Sequence, residues 1–198
     1  MGETVLIATF YSFQPFIAAA HMFSPSKMII LVAEDSLKNS KVGEDLAKVK
    51  DVYGKVAAID IVKVPGSDLL AIASKTVELI EANKDNRTIV NVSGGWKLLA
   101  QGALYGCYAR KDMVDKIICN NLEDNSIVEL PKLTFGLSST KKELLEEIAN
   151  RKGRSIAGIA EKLDRTRGML YQHLKELKEN GYVDEKFDIT DAGRMALI

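Results

Sequence analysis

The chain has 198 residues, and its 27 Lys+Arg balance 27 Asp+Glu to a formal net charge of zero. A hydrophobic content of 46% is enough to bury a core, which excludes a disordered chain. No apolar run approaches the roughly 18 residues of a membrane-spanning helix, and the N-terminus lacks the pattern of a signal peptide. We therefore expect a cytoplasmic protein without a membrane partner. Its two cysteines and two histidines lack metal-site spacing, so neither a metal nor a tightly bound cofactor is expected.

The first two thirds of the sequence alternate short apolar runs with amphipathic segments. Such continuous apolar runs are typical of buried parallel strands. The pattern predicts helices beginning at Pro15, Leu37, Leu69 and Trp96 or Lys97, and strands over 4–10, 28–33, 56–64, 88–93, 116–121 and 126–130. It indicates an α/β fold, a Rossmann-like and mainly parallel sheet with helices on both faces, over residues 1–131. Ligands bind such sheets at the carboxyl ends of the strands, near the switch in strand order.

The pattern changes after Pro131, and we predict a linker over residues 132–138. Three helices are predicted next, from Lys141 to Arg151, after Ser155, and from Arg167 to Asn180. Ser155 and Thr166 are suited to N-cap positions, and Gly181 to a C-cap. Two short strands, Tyr182–Val183 and Phe187–Ile189, follow around a charged tip. This order predicts a winged helix-turn-helix domain over residues 139–198.

The polar face of the last of these helices carries side chains that suit DNA. Arginine can bind guanine and glutamine adenine through two hydrogen bonds, and lysine can contact phosphates. The predicted DNA-binding residues are Arg165, Thr166, Arg167, Tyr171, Gln172, Lys175 and, at the wing tip, Lys186. Lys175 and Lys178 can instead pair with neighbouring glutamates, His173 can be a packing residue, and some winged helices bind proteins.

The segment Asn91-Val-Ser-Gly-Gly-Trp-Lys97 is predicted to form the end of the fourth strand, a glycine turn and the start of the next helix. Glycine lets a backbone approach a ligand, and the N–H groups at a helix start favour a phosphate. Lys97 adds positive charge, and Trp96 can stack on a base. The turn lacks the spacing of the dinucleotide fingerprint and of the Walker loop. An ordinary strand-to-helix turn is the alternative interpretation.

The C-terminal segment, with Leu170-Tyr-Gln-His-Leu-Lys175 and Ile189-Thr-Asp-Ala-Gly193, resembles prokaryotic winged-helix regulators. The whole chain resembles the CARF (CRISPR-associated Rossmann fold) regulators of archaea. Ser93, Gly94, Gly95 and Lys97 match that family's motif, whereas Trp96 stands where a smaller residue is common. The resemblance implies a homodimer that binds a cyclic oligoadenylate, most often the tetramer, across its two-fold axis. The loop after the first strand completes such sites, which makes Thr9, Tyr11, Ser12 and Gln14 candidate ligand residues.

The sequence therefore predicts a regulator of CRISPR-Cas genes that senses a cyclic oligoadenylate and binds an operator in double-stranded DNA. We find no catalytic triad and no paired carboxylates at a strand end, so a dedicated enzyme is not expected. Three alternatives remain open. The first is a ring nuclease that cuts its ligand through the ligand's 2′-hydroxyl. The second is a regulator that senses another nucleotide or metabolite, and the third is a protein-interaction module.

Overall fold

A computed structural model describes residues 2–121, 123–124, 126–133, 137–150 and 155–197. The chain divides into two compact units, Met1–Leu130 and Pro131–Ile198. Residues 134–136 of the predicted linker and Arg151, the predicted end of a helix, lie outside the described residues.

The first unit is built around a six-stranded sheet with the order β3-β2-β1-β4-β5-β6. Every neighbouring pair is parallel except β5 and β6, which are antiparallel. The strands are β1 Thr4–Phe10, β2 Lys27–Ala33, β3 Ala58–Val64, β4 Arg87–Asn91, β5 Lys116–Asn120 and β6 Ile127–Leu130. The helices are α1 Phe13–Phe23, α2 Ser40–Tyr53, α3 Leu69–Glu81 and α4 Lys97–Ala109. The predicted mainly parallel α/β sheet is confirmed.

Apolar side chains cover both faces of this sheet because successive strand residues point to opposite sides. In β1, Val5 and Ile7 join a core with residues of α3 and α4. Leu6 and Ala8 join a second core with residues of α1 and α2. Both cores are fully buried at β1, which makes this strand the centre of the unit.

Gly102 and Gly106 face α3 in the pair of helices on one side of the sheet. A Cβ at Gly102 would lie 2.7 Å from Ile72 Cβ, and one at Gly106 would lie 2.7 Å from Thr76 Cβ. The two glycines therefore let α3 and α4 pack closely together. In the same helix, burial raises the pKa of the Cys107 thiol to about 12, so this cysteine is an unreactive core residue.

The second unit contains three helices, a wing and a short final helix. Its elements are α5 Ser139–Ala149, α6 Ile156–Lys162, α7 Arg167–Glu179 and α8 Asp191–Met195. Ser155 and Thr166 cap α6 and α7 through their side chains, as predicted. Gly181 follows α7 with φ of +75°, the left-handed conformation expected of a C-cap glycine. The wing is smaller than predicted, because its two arms meet in a single antiparallel bridge between Val183 and Ile189.

Candidate functional site

The switch in strand order lies between β1 and β4, which pair in parallel with Ala8 opposite Asn91. From β1 the chain proceeds to β2 and β3 on one side, and from β4 it proceeds to β5 and β6 on the other. The loop after β1 and the glycine turn after β4 therefore begin at the same edge of the sheet. Such a switch point is where α/β sheets form a ligand crevice.

Both glycines of the turn are required by the fold itself. A Cβ on Gly94 would overlap the carbonyl oxygen of Thr9, so this turn lies directly against β1. Gly95 has φ of +82°, and a Cβ there would overlap the Leu99 side chain. The sequence predicted that this backbone approaches a ligand closely. The structure shows that it also approaches the neighbouring strand β1 closely.

Hydrogen bonds fix the glycine turn to the two strand ends. Thr9 is only 3% exposed, and its hydroxyl accepts from the Gly94 N–H at 3.1 Å and donates to the Asn91 carbonyl at 3.4 Å. Asn91 Oδ1 accepts from the Ser93 N–H at 3.0 Å, and Asn91 Nδ2 donates to the Pro15 carbonyl at 3.3 Å. Asn91 therefore links the turn to α1. Asn91 begins the segment singled out from the sequence, but it is not among the predicted ligand-binding residues.

Ser93 extends this network to the next strand. Its hydroxyl accepts from the Asn120 N–H at 2.7 Å and contacts both Asn91 Oδ1 and Asn120 Oδ1. A hydroxyl has one proton, so it can donate to only one of these two oxygens. Asn120 lies at the end of β5 and is a second positioning residue, which no local motif predicted.

Helix α4 presents free positive charge at this edge. Its N-cap residue Trp96 makes no side-chain capping bond within the described part of the chain, and 56% of its surface is exposed. Lys97 is exposed and makes no ion pair with any described residue. Unpaired N–H groups at a helix start attract anions, and Lys97 strengthens that field.

The neighbouring helix α1 begins differently, because a carboxylate already occupies its N-terminus. Asp45 of α2 accepts from the Phe13 N–H at 3.0 Å and from Lys48 at 2.8 Å. The hydrogen bond from Lys48 holds the pKa of the buried Asp45 carboxyl below its usual value, and the Phe13 N–H acts in the same direction. An anion is therefore favoured at α4 and not at α1.

Asp45 also explains why α1 begins at Phe13 and not at the predicted Pro15. The other residues of the β1 loop remain accessible: Tyr11 and Ser12 are half-buried, and Gln14 is exposed. Tyr11 accepts a hydrogen bond through its hydroxyl from Asn39 Nδ2 at 3.3 Å.

The residues predicted to contact DNA are all exposed in the second unit: Arg165, Thr166, Arg167, Tyr171, Gln172, Lys175 and Lys186. Thr166 also caps α7, since its hydroxyl accepts from the Met169 N–H at 3.4 Å. The opposite face of α7 is apolar, with Leu170, Leu174 and Leu177 buried. The helix therefore presents its polar face outward.

Ion pairs neutralise the acidic residues of α7. Glu176 bonds to Lys141 of α5, which lowers the pKa of its carboxyl, and accepts from Gln172 at 3.4 Å. Lys175 lies 3.8 Å from Glu179, as the alternative interpretation proposed. Lys178 pairs with Glu185 of the wing, not with a glutamate of its own helix. Arg165 and Arg167 have no ion-pair partner among the described residues.

His173 fits the packing interpretation, since its ring nitrogens are buried and have no hydrogen-bond partner in the described structure. The described residues contain no group of His, Cys, Asp and Glu side chains that would hold a metal ion. None of the described helices is both long and apolar enough to cross a bilayer.

Residues 137–184 match the family of winged helix-turn-helix DNA-binding domains. No curated protein matches the sequence. Among solved structures, Csm6 of Enterococcus italicus, bound to cyclic hexa-2'-fluoro-hexa-dAMP, has a TM-score of 0.56 at 11% identity. The similarity covers 90% of this chain and 55% of the Csm6 chain.

Two further solved structures have lower TM-scores. Can2 of Sulfobacillus thermosulfidooxidans, in complex with cyclic tetra-adenylate, gives 0.48 at 18% identity over 96% of this chain and 61% of its own. Protein VC1899 of Vibrio cholerae gives 0.48 at 14% identity over 98% of this chain and 64% of its own. This chain thus spans less than two thirds of each of these proteins. It shares a fold with Csm6 and joins a Rossmann-like unit to a winged helix-turn-helix.

Proposed function

We propose that the protein is a homodimeric transcription regulator of CRISPR-Cas genes that binds a cyclic oligoadenylate, the tetramer being our first choice. One observation carries this proposal. The glycine turn and the β1 loop lie side by side at the switch in strand order. There α4 begins without a side-chain cap, and Lys97 has no ion-pair partner among the described residues. The same chain carries a DNA-binding winged helix-turn-helix.

The chemistry of the switch-point site suits a ring of phosphates that carries bases. Lys97 and the N–H groups of α4 supply positive charge for phosphates. The exposed Trp96 and the half-buried Tyr11 offer ring faces for adenine. Ser12 and Gln14 add polar contacts. Thr9, Ser93, Gly94 and Gly95 hold the turn in shape through the bonds described above.

A homodimer would present this site twice to a two-fold symmetric ring. Helix α4 offers apolar surface for such an interface next to Lys97, because Leu98 and Tyr105 expose 41% and 52% of their surface. These residues are seven apart and so lie on one helix face. The ligand would change DNA binding if it preferred one dimer geometry over another.

For DNA binding, α7 would lie in the major groove and the wing tip would approach a phosphate. Arg165, Thr166, Arg167, Tyr171, Gln172 and Lys175 are exposed for these contacts, as is Lys186 in the wing. Two recognition helices related by a two-fold axis fit a palindromic operator.

The proposal is tested by titrating the protein with cyclic tetra-adenylate in a calorimeter and analysing the recovered ligand by mass spectrometry. We expect one ring per dimer, recovered intact. A cut ring would identify a ring nuclease instead. Absence of binding would contradict the cyclic oligoadenylate assignment and favour a regulator that senses another nucleotide.

A further inference from the structure

Gly168, the second residue of α7, has no reason within the described structure to be glycine. A Cβ placed on it meets no atom within 4 Å, and its φ is not among the positive values of the chain. Glycine weakens a helix relative to alanine. In contrast to Gly94, Gly168 therefore gives up helix stability without relieving any contact among the described residues.

Gly168 lies on the outward face of α7. It precedes Tyr171, Gln172 and Lys175 by three, four and seven residues, a spacing that places all four on one side of a helix. All four are exposed, and Tyr171 exposes 55% of its surface. The missing side chain thus leaves open space on the helix surface, one turn before Tyr171 and Gln172.

Charged side chains of both signs lie just before Gly168, because Glu161, Asp164, Arg165 and Arg167 line one pocket. Arg165 and Arg167 lie three residues and one residue before Gly168, and neither has an ion-pair partner among the residues described. The glutamates of α7 lie further along the helix and are paired, Glu176 with Lys141 and Glu179 with Lys175. The two arginines are therefore available for the phosphates that flank a base pair.

We propose that Gly168 is a DNA-contact position, where α7 approaches so closely that a methyl group of the DNA occupies the place of a side chain. In the major groove this group is the C5 methyl of thymine. The methyl would lie directly over the backbone of the first turn of α7, where no side chain of the described residues stands in its way. This inference depends on the proposed function, and it identifies the base that α7 reads at this point.

The experiment begins by enriching a duplex from random DNA with the 198-residue chain. On that duplex, Gly168→Ala should bind about tenfold more weakly or worse, while its thermal unfolding midpoint is unchanged or higher. Gly43→Ala is the matched control, because Gly43 also lies in the first turns of a helix with open space around it. The control should leave DNA affinity unchanged.

A second step replaces each thymine of the duplex by uracil, which removes only the methyl group. At one position the wild type should lose about fourfold in affinity, the worth of one buried methyl-sized group. At the same position Gly168→Ala should bind the uracil duplex more tightly than the thymine duplex, because the uracil leaves room for the alanine methyl group.

Two results would overturn the inference alone: equal binding of Gly168→Ala and wild type, or no uracil position that rescues the variant. Failure to enrich any duplex would overturn the proposed DNA binding as well. The two failures are therefore distinguishable.

Discussion

The Thr9 hydroxyl accepts a hydrogen bond from the Gly94 N–H at 3.1 Å, which joins β1 to the glycine turn across 85 residues of sequence. Both groups are buried, and the Gly94 backbone lies too close to β1 for any side chain. The turn that begins α4 is thus held by the first strand. The ligand contacts that we propose for Lys97 depend on this link, because it holds the turn that precedes Lys97, the first residue of α4.

Thr9→Val tests the link. Valine has nearly the same shape as threonine but leaves the buried Gly94 N–H without its partner, which costs about 1–3 kcal/mol in the free energy of unfolding. Urea unfolding measures this change. Thr4→Val in the same strand is the control, since the Thr4 side chain makes no hydrogen bond with described residues. Equal losses in both variants would show that the bond adds nothing specific.

Lys97→Ala should weaken the binding of cyclic tetra-adenylate by at least about tenfold, because a charged hydrogen bond to phosphate is worth about 1.5–3 kcal/mol. Stability should stay unchanged, since Lys97 is exposed and has no ion-pair partner in the described structure. Calorimetry gives the affinity. Lys97→Arg should retain most of it, and Lys84→Ala, an exposed lysine before the amino end of β4, should retain all of it. Unchanged affinity for Lys97→Ala would remove Lys97 from the site.

The sequence predicted most of the fold because local patterns determine it. The run from Thr4 to Phe10 is β1 over its full length, and Ser155 and Thr166 cap helices as their residue types suggested. Contacts between distant segments were not predictable in this way. The early start of α1 depends on Asp45, which lies 32 residues from Phe13.

The same distinction holds for the site. Ser93, Gly94, Gly95 and Lys97 were selected from a local motif, and they meet the β1 loop because β1 and β4 are neighbours. Asn120 was missed because its bond to Ser93 spans 27 residues and comes from another strand. A single sequence carries no signal for such a pairing.

Asp45 should make stability depend on acid pH. Its folded-state pKa is lowered by the hydrogen bond from Lys48, so its contribution is fully present above the unfolded value of about 3.9. The contribution is lost as the pH falls through the lower, folded-state pKa. Asp45→Asn should therefore be less stable than wild type at neutral pH, and the difference should shrink in acid.

Urea midpoints measured from pH 7 downward test this expectation. Asp51→Asn in the same helix is the control, because Asp51 is exposed and forms no ion pair among the described residues. Its unfolding free energy should remain within about 0.5 kcal/mol of wild type. A difference between Asp45→Asn and wild type that stays constant with pH would contradict the assignment.

Arg167→Ala should weaken binding to the enriched duplex by about 1–3 kcal/mol, as expected for an arginine that contacts a base. Arg167 is exposed at the first position of α7, so the fold should not change. A gel-shift titration at fixed salt measures the loss. Lys142→Ala, an exposed change on α5, should bind like wild type. If both variants lose the same DNA affinity, the loss comes from the change in net charge and not from a contact that Arg167 makes with DNA.

Tyr105→Glu should convert the proposed dimer to a monomer, because a charge would be buried in the apolar face that Tyr105 and Leu98 share on α4. Sedimentation equilibrium measures the change. Met22→Glu is the matched control, since Met22 is equally exposed and apolar but belongs to α1.

The monomer should also lose cyclic tetra-adenylate binding, since half of the positive charge facing a symmetric ring would be missing. A Tyr105→Glu protein that remains dimeric would place the interface elsewhere. A monomer that still binds the ring with full affinity would show that one copy of the switch-point site is sufficient.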